Sequence, residues 1–300
     1  MGGVMSTNNR VVAVINFLAA NPADSFTLSE LAGALDISAG SAHRVLKTLT
    51  EARYLTRHPK HKTYSLGLAL AAIGQATLEK HPYVEVAHRE MEVLSKELGA
   101  QTLAVSIIED EILTLVRAGR PQRSESISRV GERHPFIPPF GLAHMAWAPE
   151  QAVEHYLQAA AWKKGDEQYD YLTRAMAVVR QRGYSMAAAG PALRRMRLAV
   201  TDYTQSDDIH SLKEQVIALA GELSLDELQL FNLDEDKSYQ LGHISAPVFN
   251  AKGAVVMEIA VTGGVDLLAA PEVSRYAERI CAAAAFVTSE THGRVPVEGG

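Results

Sequence analysis

The stretch Thr27–Tyr64, TLSELAGALDISAGSAHRVLKTLTEARYLTRHPKHKTY, decides how the chain is read. Leu28, Leu31, Ala32 and Leu35 form a short apolar helical stripe that runs into a polar break at Asp36-Ile37-Ser38. A second stripe begins at once. Ala42, Val45, Leu46 and Leu49 fall at i, i+3, i+4 and i+7, one buried face of a helix. Gly40, Ser41, His43, Arg44 and Lys47 take its other side. Thr27 with Glu30 three residues on makes a capping box, and Ser38 can cap the second helix. After Leu55 come two basic, turn-prone groups, Thr56-Arg57-His58-Pro59 and Lys60-His61-Lys62-Thr63, ending on strand-like Tyr64-Ser65-Leu66. Helix, tight turn, helix and basic hairpin is the order of a winged helix-turn-helix. In that geometry the second helix enters a DNA major groove and the wing lies along the phosphates.

Around this stretch the chain has an ordinary globular composition. Its 300 residues are 47% hydrophobic and 21% charged, the size of about two domains. No apolar run approaches the ~20 residues a bilayer span needs. The N-terminal MGGVMSTNNR lacks the basic start and apolar core of a signal peptide, so the expected location is the cytoplasm. A single cysteine, Cys281, excludes an internal disulfide framework and any multi-cysteine metal site. The net charge of −6 argues at first sight against nucleic acid, but it is unevenly spread. Residues 1–66 hold seven Lys/Arg against four Asp/Glu, a net +3, which leaves −9 for the rest. A basic head on an acidic body suits a DNA-binding unit joined to one that does not touch DNA.

Residues 1–9 carry Gly, Ser and Asn with little to bury and are expected to lack fixed structure. From Arg10, the positions Val11, Val14, Ile15 and Leu18 mark an amphipathic helix ending near Asn21-Pro22. This helix, the run LSELAGALDISAGSAHRVLKTLTEARYL and the wing ending in YSLGLAL resemble the IclR family of bacterial transcriptional regulators. The resemblance runs from residue 10 to about 149, weakens, and returns from about 241 to 290. Its most specific piece is S-x-H-R-x-L-x-T-L at Ser41–Leu49. It implies an α+β protein in four parts: a winged helix-turn-helix over 1–66, a linker helix over 67–82, a GAF-like α/β effector-binding domain with an antiparallel sheet over 83–290, and a flexible tail over 291–300. It also implies a homodimer or tetramer that binds double-stranded operator DNA, as repressor or activator, and a small-molecule effector. No cofactor and no membrane are implied.

On the second helix, Arg44 and Lys47 can reach base edges or phosphates, Arg being the commonest bidentate partner of guanine. Ser41 and His43 are expected to donate to phosphate oxygens and fix register, with Ser38 and Gly40 completing the DNA-facing set. The plain alternative, a solvated basic face on an unrelated helical domain, is disfavoured because turn, spacing and wing agree. Family members more often carry Lys-Ser-Thr where Ala39-Gly40-Ser41 stands, a lost positive charge that bears on sequence preference. In the wing, Arg57, Lys60 and Lys62 are expected phosphate contacts, with His58 and His61 merely nearby. Neither these histidines nor His81 and His88 have carboxylates or thiolates at ligand spacing, so no metal is expected.

Leu66, Leu70, Ile73 and Thr77 line one face of a helix over 66–78. By resemblance it packs against a partner subunit; packing within the chain is the alternative. His81-Pro82 then breaks the chain. Tyr83–Leu98 reads as a helix closed by Gly99, followed by strand-like Thr102–Ile108, Ile112–Ala118 and Glu125–Val130. Gly131–Ala148 aligns with the family's loop and helix beneath the effector pocket, which puts Gly141 at that site. Here Pro138-Pro139-Phe140-Gly141 replaces the small-residue T-A-x-G-K-A pattern and implies a stiffer, more apolar wall. Two helices with Trp162 between them fill 149–182. Gly183–Gln240 resembles the family poorly and reads as an insertion: a lid, an oligomer contact or a surface elaboration.

At LGHISAPVFNAKGAVVMEIAVTG two strands meet around Asn250–Gly253. With Phe249 facing Ala254, His243 lies opposite Ala260 and Ser245 opposite Glu258. Alternation then gathers His243, Ser245, Glu258, Ala260 and Thr262 on one polar face, with Val255, Met257, Ile259 and Val261 toward the core. By resemblance, the positions of His243 (often Cys), Ala260 and Thr262 (often Ser) line the effector site. His243 can offer an N–H or a cation to a carboxylate or hydroxyl, and Thr262 a hydroxyl. A satisfied structural histidine is the alternative. In the closing helix over 271–290, Cys281 reads as a buried small hydrophobe and not a nucleophile.

Together these features imply a ligand-responsive DNA-binding regulator with a roughly palindromic operator, the resemblance adding small organic or aromatic acids as effectors. Two other readings stand beside it. One is a regulator whose pocket is filled by its own side chains, which the aromatic and proline residues at 138–140 favour. The other is an enzyme using the 83–290 domain. For that one the chain has no G-x-S-x-G, no phosphate-cradling glycine loop and no Cys-His pair, and Asp234, Glu235 and Asp236 read as a solvated loop.

Overall fold

The computed structural model describes residues 7–120, 129–201, 209–262 and 267–296. A first compact unit runs to Pro82 and a second begins at Tyr83. In the first, helices α1 (Thr7–Ala20), α2 (Leu28–Ala34) and α3 (Ala39–Glu51) precede a hairpin of β1 (Leu55–Arg57) and β2 (Tyr64–Leu66). Helix α1 already includes Thr7, Asn8 and Asn9, which the composition had placed in an unstructured tail. Val14, Leu18, Leu31, Leu46 and Leu49 meet in one core. Both expected caps form. The Thr27 amide donates to Glu30 Oε2 at 2.6 Å while the Glu30 amide donates back to Thr27 Oγ1 at 3.3 Å, and the Ser41 amide donates to Ser38 Oγ at 3.3 Å.

Arg57 pairs with Tyr64 and Leu55 with Leu66, so Leu66 belongs to a strand and not to the helix proposed over 66–78. Gly67 explains the sharp exit: its amide donates to the Tyr54 carbonyl at 2.7 Å, and a Cβ there would overlap the Arg53 carbonyl. Helix α4 (Ala69–Lys80) follows, with none of its side chains buried.

The second unit opens with α5 (Pro82–Leu98), β3 (Thr102–Ile108), β4 (Glu111–Ala118) and β5 (Arg133–Pro135). Then come α6 (Leu142–Met145), α7 (Glu150–Gln158), α8 (Glu167–Arg182), β6 (Ser185–Ala188), α9 (Pro191–Thr201), α10 (Ile209–Ala220) and α11 (Leu225–Leu228). It closes with β7 (Ser238–Tyr239), β8 (Leu241–Phe249), β9 (Val255–Thr262), β10 (Leu268–Ala269) and α12 (Ala270–Glu290). Six strands make one antiparallel sheet in the order β5-β4-β3-β9-β8-β6. The strand read over 125–130 falls mostly on residues outside those described, and Arg129 and Val130 are not in a strand.

The second unit has two hydrophobic cores. Helices α5 and α12 bury Met91, Leu94, Ile280 and Ala283 against Ile244, Val248, Met257 and Ile259 of the sheet. The second core joins α6, α7 and α8 to the segment 191–228. Leu193, Met196, Val216 and Leu228 of that segment are fully enclosed, so it is structural layer and not surface elaboration. Glu227 pins it in place. One carboxylate oxygen accepts from the Leu193 amide at 2.9 Å, the other from the Ser224 amide at 3.0 Å and the Ser224 hydroxyl at 2.8 Å. Burial alone would raise the Glu227 pKa, but these donors outweigh it and hold it below the ordinary value. The expected tail is likewise tied down in its first part, the Arg294 amide donating to the Asn250 carbonyl at 3.2 Å.

The β8–β9 register differs from the sequence expectation. His243 faces Thr262, Ser245 faces Ala260 and Pro247 faces Glu258. Two single-residue slips produce the difference. The turn places Phe249 opposite Val255, and a bulge between Val248 and Phe249 adds the second slip. A slip of one would have turned the strand over; a slip of two keeps its faces. The polar face therefore survives with every pairing changed, except that Val256, and not Val255, packs on the core.

Candidate functional site

The first candidate surface is α3 with its wing. Burial of Ala42, Val45, Leu46 and Leu49 fixes the rotation of α3 and leaves Gly40, His43, Arg44 and Lys47 exposed on the far side. Lys47 makes only an exposed ion pair with Glu51 at 3.8 Å, too weak to hold it back from an anion. A side chain at Gly40 would meet no atom. Ser41 departs from its expected role. It is buried, and its hydroxyl oxygen accepts from Arg10 Nη1 at 3.1 Å and Ser38 Oγ at 3.0 Å. Ser41 thus ties α1 to the start of α3 and orients the helix instead of facing a phosphate. Ser38 is exposed but engaged as the N-cap.

Arg57, Lys60 and Lys62 are exposed on the wing. Arg57 lies over the Tyr64 ring, 5.6 Å from its centroid, so the ring props the guanidinium. His58, taken as a bystander from sequence, organises the loop. Its Nδ1 accepts from the Lys60 amide at 3.3 Å and the His61 amide at 3.0 Å. Lys62, at φ +58°, closes the turn with its amide on the His58 carbonyl at 2.9 Å.

The second candidate is the polar face of β8 and β9. His243 and Ser245 are buried, as are Ala260 and Glu258. His243 Nε2 lies 3.3 Å from Ser185 Oγ, and that hydroxyl donates to Gln229 Oε1 at 2.8 Å. Burial pushes the His243 pKa down to about 3, aided by the positive charges of Arg197 and Arg182, so the ring is neutral. The cation offered from sequence is corrected by this burial. His134 and His144 are held neutral in the same way, each down to about 4; for His134 the Arg197 charge again adds to burial.

Gly141 lies at φ +81° as the cap of α6, and a Cβ there would come within 2.5 Å of the Phe136 ring. It shapes the turn that brings the His144 amide to Glu258 Oε1 at 2.7 Å. Burial raises the Glu258 pKa against the donors Ser245 and His144. A carboxyl group of the chain itself therefore sits where α6 presents its amide.

Sequence reading missed Arg10, Ser185, Gln229 and Arg197. None of these four stands out in its local pattern, whereas Glu258, placed on the polar face from sequence, is a lone charge inside the apolar run VVMEIAV. Among the described residues no group of three or more His, Cys, Asp or Glu could hold a metal ion, and no helix is long and apolar enough to cross a membrane.

Comparison with known proteins bears on both surfaces. Residues 9–59 match the IclR helix-turn-helix domain, and residues 75–189 match the C-terminal domain of bacterial IclR transcriptional regulators. The chain is 27% identical over 108 residues to the glycerol operon regulatory protein of Streptomyces griseus, covering 36% of this chain and 42% of that one. It is 24% identical over 159 residues to the HTH-type transcriptional regulator KipR of Bacillus subtilis, covering 51% and 62%. The matched stretches thus span about half the length of these relatives.

Among solved structures, an IclR regulator from Alicyclobacillus acidocaldarius aligns with a TM-score of 0.61 at 18% identity, over 96% of this chain and 100% of that one. An IclR homologue from Microbacterium hydrocarbonoxydans, complexed with 4-hydroxybenzoate, aligns at 0.61 and 17% identity over 95% and 99%. These likenesses establish a common fold. With both domain models matched across more than half of its length, the chain belongs to the IclR family of bacterial transcriptional regulators.

Proposed function

We propose that the protein is a sequence-specific transcriptional regulator that binds double-stranded operator DNA through α3 and the wing, and whose affinity a small organic or aromatic acid modulates. The observation that carries the reading is the rotation of α3. Its apolar stripe is fully used in packing, so Arg44, His43 and Lys47 are exposed beside the cationic wing. The family's C-terminal domain, matched over residues 75–189, supports Gly141 as part of an effector site, and the buried polar face of β8 and β9, beyond the matched residues, supports adding His243, Ser245, Ala260 and Thr262. The 4-hydroxybenzoate held by the Microbacterium homologue supports an aromatic acid as the class. Helix α4 supports self-association: it buries none of its side chains, and Ile73 is 46% exposed. By linkage, an effector that alters operator affinity has its own affinity altered by the same factor.

Fluorescence anisotropy on the DNA upstream of the coding sequence, against scrambled DNA at two salt concentrations, tests the first half. Preference for the upstream fragment, weakening with salt, is expected. Absence of binding at low salt would sink the DNA reading. A second reading, a regulator with a self-filled pocket, is favoured by the Glu258 carboxyl already bonded to the α6 amide. Failure of every acid to shift the melting temperature would select it.

A further inference from the structure

A relay of hydrogen bonds ending on His243 decides which atom of the ring is offered to a ligand. Gln229 is completely buried and held at both ends. Its backbone carbonyl accepts from the Tyr171 hydroxyl at 2.6 Å, and its Nε2 donates to the Leu230 carbonyl at 3.3 Å. The side-chain oxygen is thereby turned to Ser185, whose hydroxyl donates to it at 2.8 Å. A hydroxyl has one proton. Once it is given to Gln229, Ser185 Oγ can only accept, so the 3.3 Å contact with His243 Nε2 is a donation from the ring. The network assigns the ring proton to Nε2 and leaves a bare lone pair on Nδ1.

That Nδ1 is shut off from solvent and, among the described residues, has no hydrogen-bond partner; His243 as a whole is 8% exposed. Thr262 is the residue paired with His243 across the strands, and its enclosed Oγ1 is likewise unpartnered among the described residues. Buried polar atoms in native proteins are almost always paired, and two such atoms at partnered positions on one face point to a group supplied from outside the chain. Ser245 on the same face and the His144 amide of α6 are already engaged, both bonding Glu258.

We propose that this site selects small molecules bearing a hydroxyl group, whose O–H donates to His243 Nδ1 and whose oxygen accepts from the Thr262 hydroxyl. The inference rests on the reading of this face as the effector site, and it reverses the polarity expected of His243 from sequence. A carboxylate or ether oxygen brings only lone pairs to Nδ1 and is rejected there, as a buried acceptor facing an acceptor must be.

The test uses the full-length protein labelled with 15N-histidine, long-range proton–nitrogen spectra, and calorimetric titration with phenol, anisole, 4-hydroxybenzoate and 4-methoxybenzoate. His243→Gln identifies the ring signals. The expected result is a ring protonated on Nε2, hydroxyl probes at least about tenfold tighter than their methyl ethers, and a Nδ1 signal that moves only with the hydroxyl probes. Ser185→Ala removes the acceptor of the Nε2 proton and should shrink that preference. Thr262→Val should weaken the hydroxyl probes without changing the tautomer. A ring protonated on Nδ1, or ethers binding as tightly as hydroxyls, would overturn the inference while leaving the effector site standing. Binding of none of the four would overturn both.

Discussion

The α3 face and the β8–β9 face carry similar side chains under opposite physical conditions. On α3, His43, Arg44 and Lys47 are exposed, and the solvated charges of Arg44 and Lys47 leave their field available to a polyanion. On β8 and β9, His243, Ser245 and Glu258 are enclosed, and burial has stripped His243 of its charge and pressed Glu258 toward its neutral form. The first surface keeps its charge; the second keeps fixed directions of hydrogen bonding. The two therefore respond differently to salt, pH and substitution.

The largest separation between them comes from Arg44→Ala. If Arg44 reads a base as proposed, its loss should cost operator affinity about 10- to 100-fold, the scale of about 1–3 kcal/mol for one bidentate contact, with melting temperature and ligand binding unchanged. Unaltered operator affinity in an anisotropy titration would break the contrast at its DNA end.

Next is Glu227→Ala, which strands the Leu193 and Ser224 amides and frees α9 from α11. An effect of about 2–4 kcal/mol is expected, seen as a fall of roughly 5–10 °C in the melting of the second unit. Unchanged melting would mean that the segment 191–228 is not the structural layer it forms here.

Acid should act on the buried face with two opposite signs. A histidine whose folded pKa is depressed contributes stability that is complete above its unfolded value of 6.5 and is lost as pH falls toward the folded one. For His243 the loss is about 1.4 kcal/mol per pH unit between pH 6.5 and 3, and the melting temperature should fall across that window. Glu258 works the other way, its raised pKa favouring the fold at low pH and costing stability as pH rises. Glu258→Gln keeps an acceptor for the His144 amide, removes the buried charge, and should raise the melting temperature at pH 8. A decrease there would show that the ionised carboxylate is needed.

The smallest effect, and the sharpest on the exposed side, is expected from Gly40→Lys. The position is open space, so the change should leave stability within about 0.5 kcal/mol while steepening the salt dependence of DNA binding by about one unit. An unchanged slope would place Gly40 away from the phosphates.

The sequence by itself determined the first unit almost completely, because its signals are local. Caps at Thr27 and Ser38, a 3.6-residue stripe from Ala42 to Leu49 and a turn-rich basic hairpin each lie within a few residues of the structure they dictate. Strand alternation likewise made the composition of the β8–β9 polar face legible, and parity protected it even though the turn and the bulge shifted every pairing by two.

Only the tertiary structure decided the rest. That Ser41 points inward follows from Arg10, 31 residues earlier, reaching its hydroxyl. That His243 is neutral follows from its burial and from the charges of Arg197 and Arg182, and which nitrogen holds its proton follows from Ser185 and Gln229. Hydrogen-bond direction and dielectric belong to the packed neighbourhood, and no spacing along a chain encodes them.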